Sequence, residues 1–335
     1  MPARPTVLAS LDVRLRAAST LRERLAARPT VTALCHENPD ADTVGAAVAM
    51  ALAARQLGCA VEVVAAVPLP PALNGLTDGL MVNSRPTQKP GLAVVCDAPT
   101  LARIGPAAQA CREWLEEADI VNIDHHVTNV GFGSINLVDP DAAATCQIVS
   151  WLLPQIGVRM DGHMASAILA GVLRDSHGFS TPTTSADTLR AAADAVDAGA
   201  PLEAMYRSTM LDLAPEALDL WGRVLIDLRR EEGGRITWAV ISQAMLAAAA
   251  AAQHDAEGIA ELIARARGVE IALLLRDLDG HTRVSIRTTA GIDAAAIAAL
   301  FGGGGHDQRA GCTIAGRPDV AIGQLLAACR ERLGR

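Results

Sequence analysis

Short, largely apolar runs alternate along the first half of this chain with segments whose apolar residues recur at helical spacing. Residues 31–35, 61–67, 92–96 and 120–123 are such runs, and their near-continuous apolarity predicts strands covered on both faces. Residues 43–57 (closed by Gly58), 143–153 and 165–173 carry the helical pattern. The alternation predicts a parallel sheet with helices on both sides. Ligands of such sheets bind beyond the carboxyl ends of the strands, so the polar residues just after each run are the ones to inspect for chemistry.

From 185 to 230 the pattern is helical and charged, with Pro201 and Pro215 as punctuation, and predicts a connector. Beyond it, strands are expected at 235–241, 269–275 and 283–287, and helices at 256–265, 293–300 and 320–333. A glycine run, 302–305, lies between a helix and a strand at 312–314. The fold class expected is therefore α/β. An N-terminal parallel-sheet domain (1–184) is joined by a helical connector (185–230) to a smaller α/β domain (231–335).

Composition narrows the functions open to this fold. Half of the 335 residues are hydrophobic and 20% are charged, enough for two cores and unlike a disordered chain. Aromatic residues make up only 2%, so Ala, Val, Leu and Ile must build those cores. The net charge is −8 and Lys89 is the one lysine, the opposite balance to a protein that grips long DNA or RNA. A small anion in a local pocket remains compatible with that charge. No secretory stretch and no membrane-length apolar run is expected, and the seven cysteines are scattered without a CxxC pair. Buried reduced thiols and a cytoplasmic location follow as expectations.

The chemistry gathers at element ends. After 31–35 comes His36-Glu37-Asn38-Pro39-Asp40-Ala41-Asp42; after 92–96, Asp97; after 120–123, Asp124-His125-His126; and after 165–173, Arg174-Asp175. Each has an ordinary explanation alone: a turn aspartate, a helix N-terminus favouring carboxylates, an exposed polar pair. Four such groups at successive element ends call for a joint one. Two divalent cations about 3.5–4 Å apart need several anionic oxygens, one of them shared. Carboxylates with imidazoles suit Mn²⁺ or a similar ion. An Asp-His-His run in a loop can turn one ring to metal and the next to substrate.

These residues resemble the DHH phosphoesterase superfamily. The segment His36 to Gly45 resembles its first motif, H-x-x-P-D-x-D-x-x-G. Val94-Val95-Cys96-Asp97 resembles the second, Asp124-His125-His126 the third, and Gly171 to Asp175, with Phe179 and Thr181, the fourth. The resemblance implies two Mn²⁺ ions, one on His36 and Asp40 and the other on Asp42, His125 and Asp175, with Asp97 bridging. It implies that His126 contacts the substrate phosphate and that Asp124 orients the histidine pair, so that His126, Asp124 and Asp97 form the catalytic set. In the second half, Gly302 to Gly311 is similar to the G-G-G-H-x-x-A-A-G motif of the domain accompanying DHH, with Arg309 where alanine is usual. Val284-Ser285-Ile286-Arg287-Thr288 is similar to that domain's V-S-x-R-S strand. The implied substrate-binding residues are Arg287, Gly303, Gly304, Gly305 and His306. Glycine lets a backbone approach an anion, and arginine offers it a planar fork.

On a chain of this length the two domains resemble the bacterial oligoribonuclease and pAp-phosphatase group. The expectation is a Mn²⁺-dependent phosphoesterase on short oligoribonucleotides, pApA-type dinucleotides, 3′-phosphoadenosine 5′-phosphate (pAp) or cyclic di-AMP. A pyrophosphatase or polyphosphatase and a RecJ-like single-strand exonuclease are the alternatives, and a sensor without turnover would have lost the ligands. Expected partners are a short nucleotide substrate, neither long nucleic acid nor membrane, and, as an open option, a second copy of the chain in a homodimer. The connector is expected to let the two domains close on the nucleotide.

Overall fold

The computed structural model describes residues 11–27, 29–211, 213–278 and 280–334, and in it the chain divides into two units, Met1–Asp212 and Leu213–Arg335. The first unit runs α1 (Leu11–Ala26), β1 (Thr30–Leu34), α2 (Ala41–Gln56), β2 (Ala60–Val64), β3 (Val82–Asn83), β4 (Leu92–Cys96), α3 (Pro106–Ala110), α4 (Arg112–Glu117), β5 (Asp119–Asp124), β6 (Ile135–Val138), α5 (Thr145–Gln155), α6 (Gly162–Asp175), α7 (Ala186–Asp197) and α8 (Leu202–Tyr206). Its six strands are all parallel, in the order β3-β2-β1-β4-β5-β6. Side chains alternate across the pleat. Val31, Val63, Val94 and Ile123 therefore pack against α1, α2, α5 and α6, while Leu34, Val64 and Val95 pack with Ile104 and Leu115 on the other face.

The strand order reverses between β1 and β4, which are hydrogen-bonded neighbours. The chain leaves these two strands in opposite directions, and the crevice opened at their carboxyl ends is where ligands of such sheets bind. His36 and Asp97 follow directly there. Helix α2 is buried from Ala41 to Ala54, because apart from Asp42 and Thr43 that stretch is small or apolar on every side. It packs against α6, and that pairing brings Asp42, near the start of α2, to Asp175, at the end of α6.

The second unit contains α9 (Pro215–Ile226), β7 (Arg229–Glu231), β8 (Ile236–Ile241), α10 (Gln243–Ala248), α11 (Ile259–Ala264), β9 (Ile271–Asp277), β10 (His281–Thr288), α12 (Ala294–Ala299), β11 (Gly304–His306), β12 (Arg309–Ala315) and α13 (Pro318–Leu333). Its sheet, in the order β11-β12-β10-β9-β8-β7, is mixed, with only β8 and β9 parallel. Ile271, Leu273 and Leu275 face α12 and α13, while Ala272 and Leu274 face α9, α10 and α11.

The structure departs from the sequence reading in several places, among them β6, α3, α4 and α10, which no pattern announced. The 185–230 segment is divided between the units. Helix α7 buries Ala192 and Ala195 in the first core, whereas α9 buries Leu220 and Val224 in the second. Charge on the outer faces of these helices hid the small apolar stripe on the inner ones. The glycine run is partly strand, since Gly304 and Gly305 pair with Gly311 and Ala310. Helix α1, which the sequence reading did not anticipate among its scattered charges, buries Leu21 and Leu25. Among the described residues, no helix is long and apolar enough to cross a membrane.

Candidate metal centre

The ends of β1, β4, β5 and α6 and the start of α2 bring His36, Asp40, Asp42, Asp97, His125, His126 and Asp175 together in the first unit. Their donor atoms form three overlapping groups, His36–Asp40–Asp97, Asp42–His125–Asp175 and Asp97–His125–His126, each within 4.8 Å. Asp97 belongs to two of them. Its Oδ2 lies 3.4 Å from His36 Nε2, and its Oδ1 lies 3.4 Å from His125 Nε2. His125 Nε2 is also 3.2 Å from Asp175 Oδ2, and His36 Nε2 is 3.8 Å from Asp40 Oδ1.

Local structure aims these groups. Asp40 caps α2, its Oδ1 accepting from the backbone N–H of Asp42 and Thr43 at 3.0 and 3.1 Å. Asp42 accepts from the N–H groups of Thr145 and Cys146 at 2.7 and 2.9 Å and so caps α5, whose own N-cap residue, Ala144, has no side chain to do it. Asp97 has a φ of +60°, a left-handed conformation that aspartate tolerates better than most residues, and this turns its carboxylate into the crevice. Thr145 Oγ1 donates to it at 3.1 Å. The His125 Nδ1 lies 3.3 Å from the Ala142 carbonyl, which places the ring proton there and turns Nε2 to the carboxylates.

The electrostatics are those of a site built around positive charge. Burial, then the neighbouring carboxylates of Asp175 and Asp97, push Asp40 up to about 6 and Asp42 well above its usual range. Burial works against the charge of Asp97 too, but bonds from His125 and His36 outweigh it and hold that carboxyl well below the usual range. His125 and His36 are raised, their burial outweighed by Asp175 and Asp97 for the first and by Asp97 and Asp40 for the second.

The residues fit divalent cations. The imidazole-to-carboxylate spacings, 3.2 to 3.8 Å, run from the long end of a hydrogen bond outward, a separation at which ring and carboxylate could be adjacent ligands of one ion. His36 Nδ1 is buried without a hydrogen-bond partner. The Nε2 edge is therefore the one turned to the cluster, 3.4 Å from Asp97 and 3.8 Å from Asp40, where a cation would be shared by ring and carboxylates. The nearby thiols do not compete: burial pushes Cys35 up to about 12, and Cys96 and Cys146 are raised well above the usual thiol value.

His126 is arranged differently from His125. The two rings meet edge-on at 69°, with centroids 4.9 Å apart. His126 Nδ1 lies 2.7 Å from Asp124 Oδ1, and Asp124 is fully buried. Burial lowers the affinity of the His126 ring for a proton, but Asp124 more than compensates and raises it.

In the second unit Arg287 is not an open fork. Its Nε and Nη2 donate to Glu261 Oε1 at 2.9 and 2.8 Å, and its Nη1 donates to the Ile286 carbonyl at 2.9 Å. Arg309, the departure from the family motif, reaches the same Glu261 oxygen at 3.2 Å. Glu261 went unnoticed in the sequence because an acidic residue on a short helix carries no signal without its cross-element partners. Gly303 and Gly305 lie where β11 presses on β12: a Cβ on either would sit 2.3 Å from a carbonyl oxygen, that of Gly311 or of Arg309. The backbone of His306 closes β11, and its side chain lies outside the described residues.

Glu261 also sets a pH expectation. Burial opposes its charge, but Arg287 and Arg309 outweigh burial and bring it to about 2, from 4.5. A depressed carboxyl stabilises the fold fully above its unfolded value and loses that contribution as pH falls toward its folded one. The stability difference between wild type and Glu261→Gln should therefore be up to about 3 kcal/mol at neutral pH and should shrink between pH 4.5 and pH 2. Chemical denaturation at several pH values checks this, and a difference that does not vary with pH would contradict it.

Known proteins can be set beside this geometry. Residues 30–173 match the DHH family N-terminal domain, and residues 239–334 match the DHHA1 domain. The bifunctional oligoribonuclease and PAP phosphatase NrnA of Thermus thermophilus is 32% identical over 304 residues, covering 90% of this chain and 89% of that protein. The protein of the same name from Bacillus subtilis is 21% identical over 88% of this chain and 93% of its own length. The crystal structure of an exopolyphosphatase-related protein from Bacteroides fragilis shares the fold, with a TM-score of 0.85, 18% identity and coverage of 94% of this chain and 96% of that one.

Proposed function

This chain belongs to the DHH family, carries a DHHA1 domain and is a hydrolase acting on phosphoester bonds; from that premise we propose that its substrates are short nucleotides, namely oligoribonucleotides of a few residues and pAp, with pApA and cyclic di-AMP as further members of the class. The observation that carries the reading is the convergence of two donor groups, His36–Asp40–Asp97 and Asp42–His125–Asp175, at the sheet's switch point, with Asp97 Oδ1 3.4 Å from His125 Nε2, in a chain that aligns over nine-tenths of its length with an oligoribonuclease and PAP phosphatase.

In this reading His36 and Asp40 hold one cation, and Asp42, His125 and Asp175 hold the other, with Asp97 common to both. The oxygen and imidazole donors favour Mn²⁺. Bound cations supply positive charge for the phosphoryl oxygens and make water a better nucleophile near neutral pH. The chain's own part is to orient the phosphate. His126, held by Asp124, faces it. In the second unit the candidates for the rest of the nucleotide are the backbone of Gly303, Gly304 and Gly305, His306, and Arg287, whose fork would have to exchange Glu261 for a phosphate.

The test is a product assay with and without Mn²⁺ over pAp, pApA, cyclic di-AMP and RNA of two to five residues, with pyrophosphate and long single-stranded DNA as contrasts. Turnover confined to pyrophosphate, or a preference for long strands, would overturn the proposal. Two variants separate the histidines. His125→Ala should lower Mn²⁺ occupancy in calorimetry, whereas His126→Ala should keep it and lose about 10²-fold in rate, the scale of a positioned acid–base group. Equal loss of Mn²⁺ in both would refute the division.

A further inference from the structure

We propose that Asn129 is a positioning residue for the reaction: its side-chain amide holds the Asp124 carboxylate, and through it the His126 ring, in the orientation that turnover requires. The inference rests on the phosphoesterase reading above. It starts from a buried polar chain that the family motifs do not explain.

Asn129 lies in the loop between β5 and β6 and is only 7% exposed. Its Nδ2 donates to Asp124 Oδ2 at 2.5 Å and to the Ala98 carbonyl at 3.1 Å. Its Oδ1 accepts from the Gly131 N–H at 2.7 Å and from Asn122 Nδ2 at 2.9 Å. The Gly131 N–H can only donate and the Ala98 carbonyl can only accept, so these partners fix which end of the amide carries oxygen. Asn122 is fully buried on β5 and donates in turn to Asn136 Oδ1 on β6 at 3.0 Å. The amide is thus anchored in the sheet.

The two oxygens of Asp124 are divided between tasks. Oδ2 takes Asn129, while Oδ1 takes His126 Nδ1 at 2.7 Å and the His125 backbone N–H at 2.9 Å. With both oxygens engaged the carboxylate cannot turn about its terminal bond, and the imidazole follows its plane. Removing Asn129 frees that rotation and leaves a buried carboxylate short of a donor. The His125 ring is oriented by Ala142 instead, and the turn after Asp97 keeps a second tie, Val130 N–H to the Pro99 carbonyl at 3.1 Å. The His125 ring and the turn after Asp97 thus each keep a tie that the Asn129 amide does not supply.

The experiment compares Asn129→Ala, the isosteric Asn129→Asp, His126→Ala and the double variant Asn129→Ala/His126→Ala. It measures kcat and KM on the best short nucleotide substrate, together with Mn²⁺ stoichiometry and thermal midpoint. Asn129→Ala should lose about 10- to 100-fold in kcat with KM and Mn²⁺ stoichiometry little changed. Asn129→Asp keeps the shape but sets a carboxylate oxygen against Asp124, and should lose at least as much. In the His126→Ala background the same alanine change should cost less than about twofold, because its effect passes through His126. An undiminished further loss in that background, loss of Mn²⁺ from Asn129→Ala, wild-type rate in Asn129→Asp or failure of Asn129→Asp to fold would each overturn the proposal. Absence of turnover by the wild type on any phosphoester would instead sink the reading on which it rests.

Discussion

Replacing Asp97 by alanine is expected to lower turnover by a factor of about 10² or more while the fold persists. Asp97 is 3% exposed, faces His36 with one oxygen and His125 with the other, and belongs to two of the donor groups. Without it, two cations would face each other across the crevice with no shared anion, so metal occupancy should fall with activity. Two causes need separating, because alanine at a φ of +60° is also strained. Asparagine tolerates that backbone and keeps the shape, but carries no charge. Asp97→Asn should therefore lose activity to a similar degree. Near-normal turnover in it, beside an inactive Asp97→Ala, would assign the effect to backbone strain and refute the bridging role.

Replacing Gly171 by alanine is expected to lower both stability and metal affinity. A Cβ there would sit 2.3 Å from Cys146 Sγ and 2.7 Å from Asp42 Oδ1. On an exposed helix such a change would stabilise by about 1 kcal/mol through helix propensity. Here it forces apart three buried elements, and overpacking of that kind costs about 1–3 kcal/mol, occasionally more. The clash should win, lowering the thermal midpoint by several degrees. Asp42 would be displaced from the N–H groups of Thr145 and Cys146, so Mn²⁺ binding should weaken in the same variant. An unchanged midpoint with full Mn²⁺ binding would mean that α2 and α6 can separate freely, against the close approach described here.

Much of this was legible along the chain, and for a simple reason. A strand buried on both faces must be apolar throughout, so 31–35, 92–96 and 120–123 announced the parallel sheet, and the polar residues just past them had to lie at one edge of it. Residue type and place thus gathered the loops that hold His36, Asp40, Asp42, Asp97, Asp124, His125, His126 and Asp175, and the family resemblance picked these residues out of them. Half-buried helices were harder to read. In α1 and α7 small apolar stripes sit under charged faces, and their burial depends on which neighbour covers them.

What no periodicity could carry is any bond between residues far apart in sequence. That Asp42 caps α5 across 103 residues, that Arg287 shares Glu261 with Arg309, and that the Ala98 carbonyl anchors the Asn129 amide across 31 residues are consequences of strand order and helix packing. A lone Asn or Glu is an ordinary residue until folding removes water from around it; only then must its hydrogen bonds be found within the protein, and the tertiary structure decides which partners supply them. The kinds of groups at the candidate metal centre were therefore written in the chain, whereas their orientation was settled by burial and by partners that only the folded chain brings near.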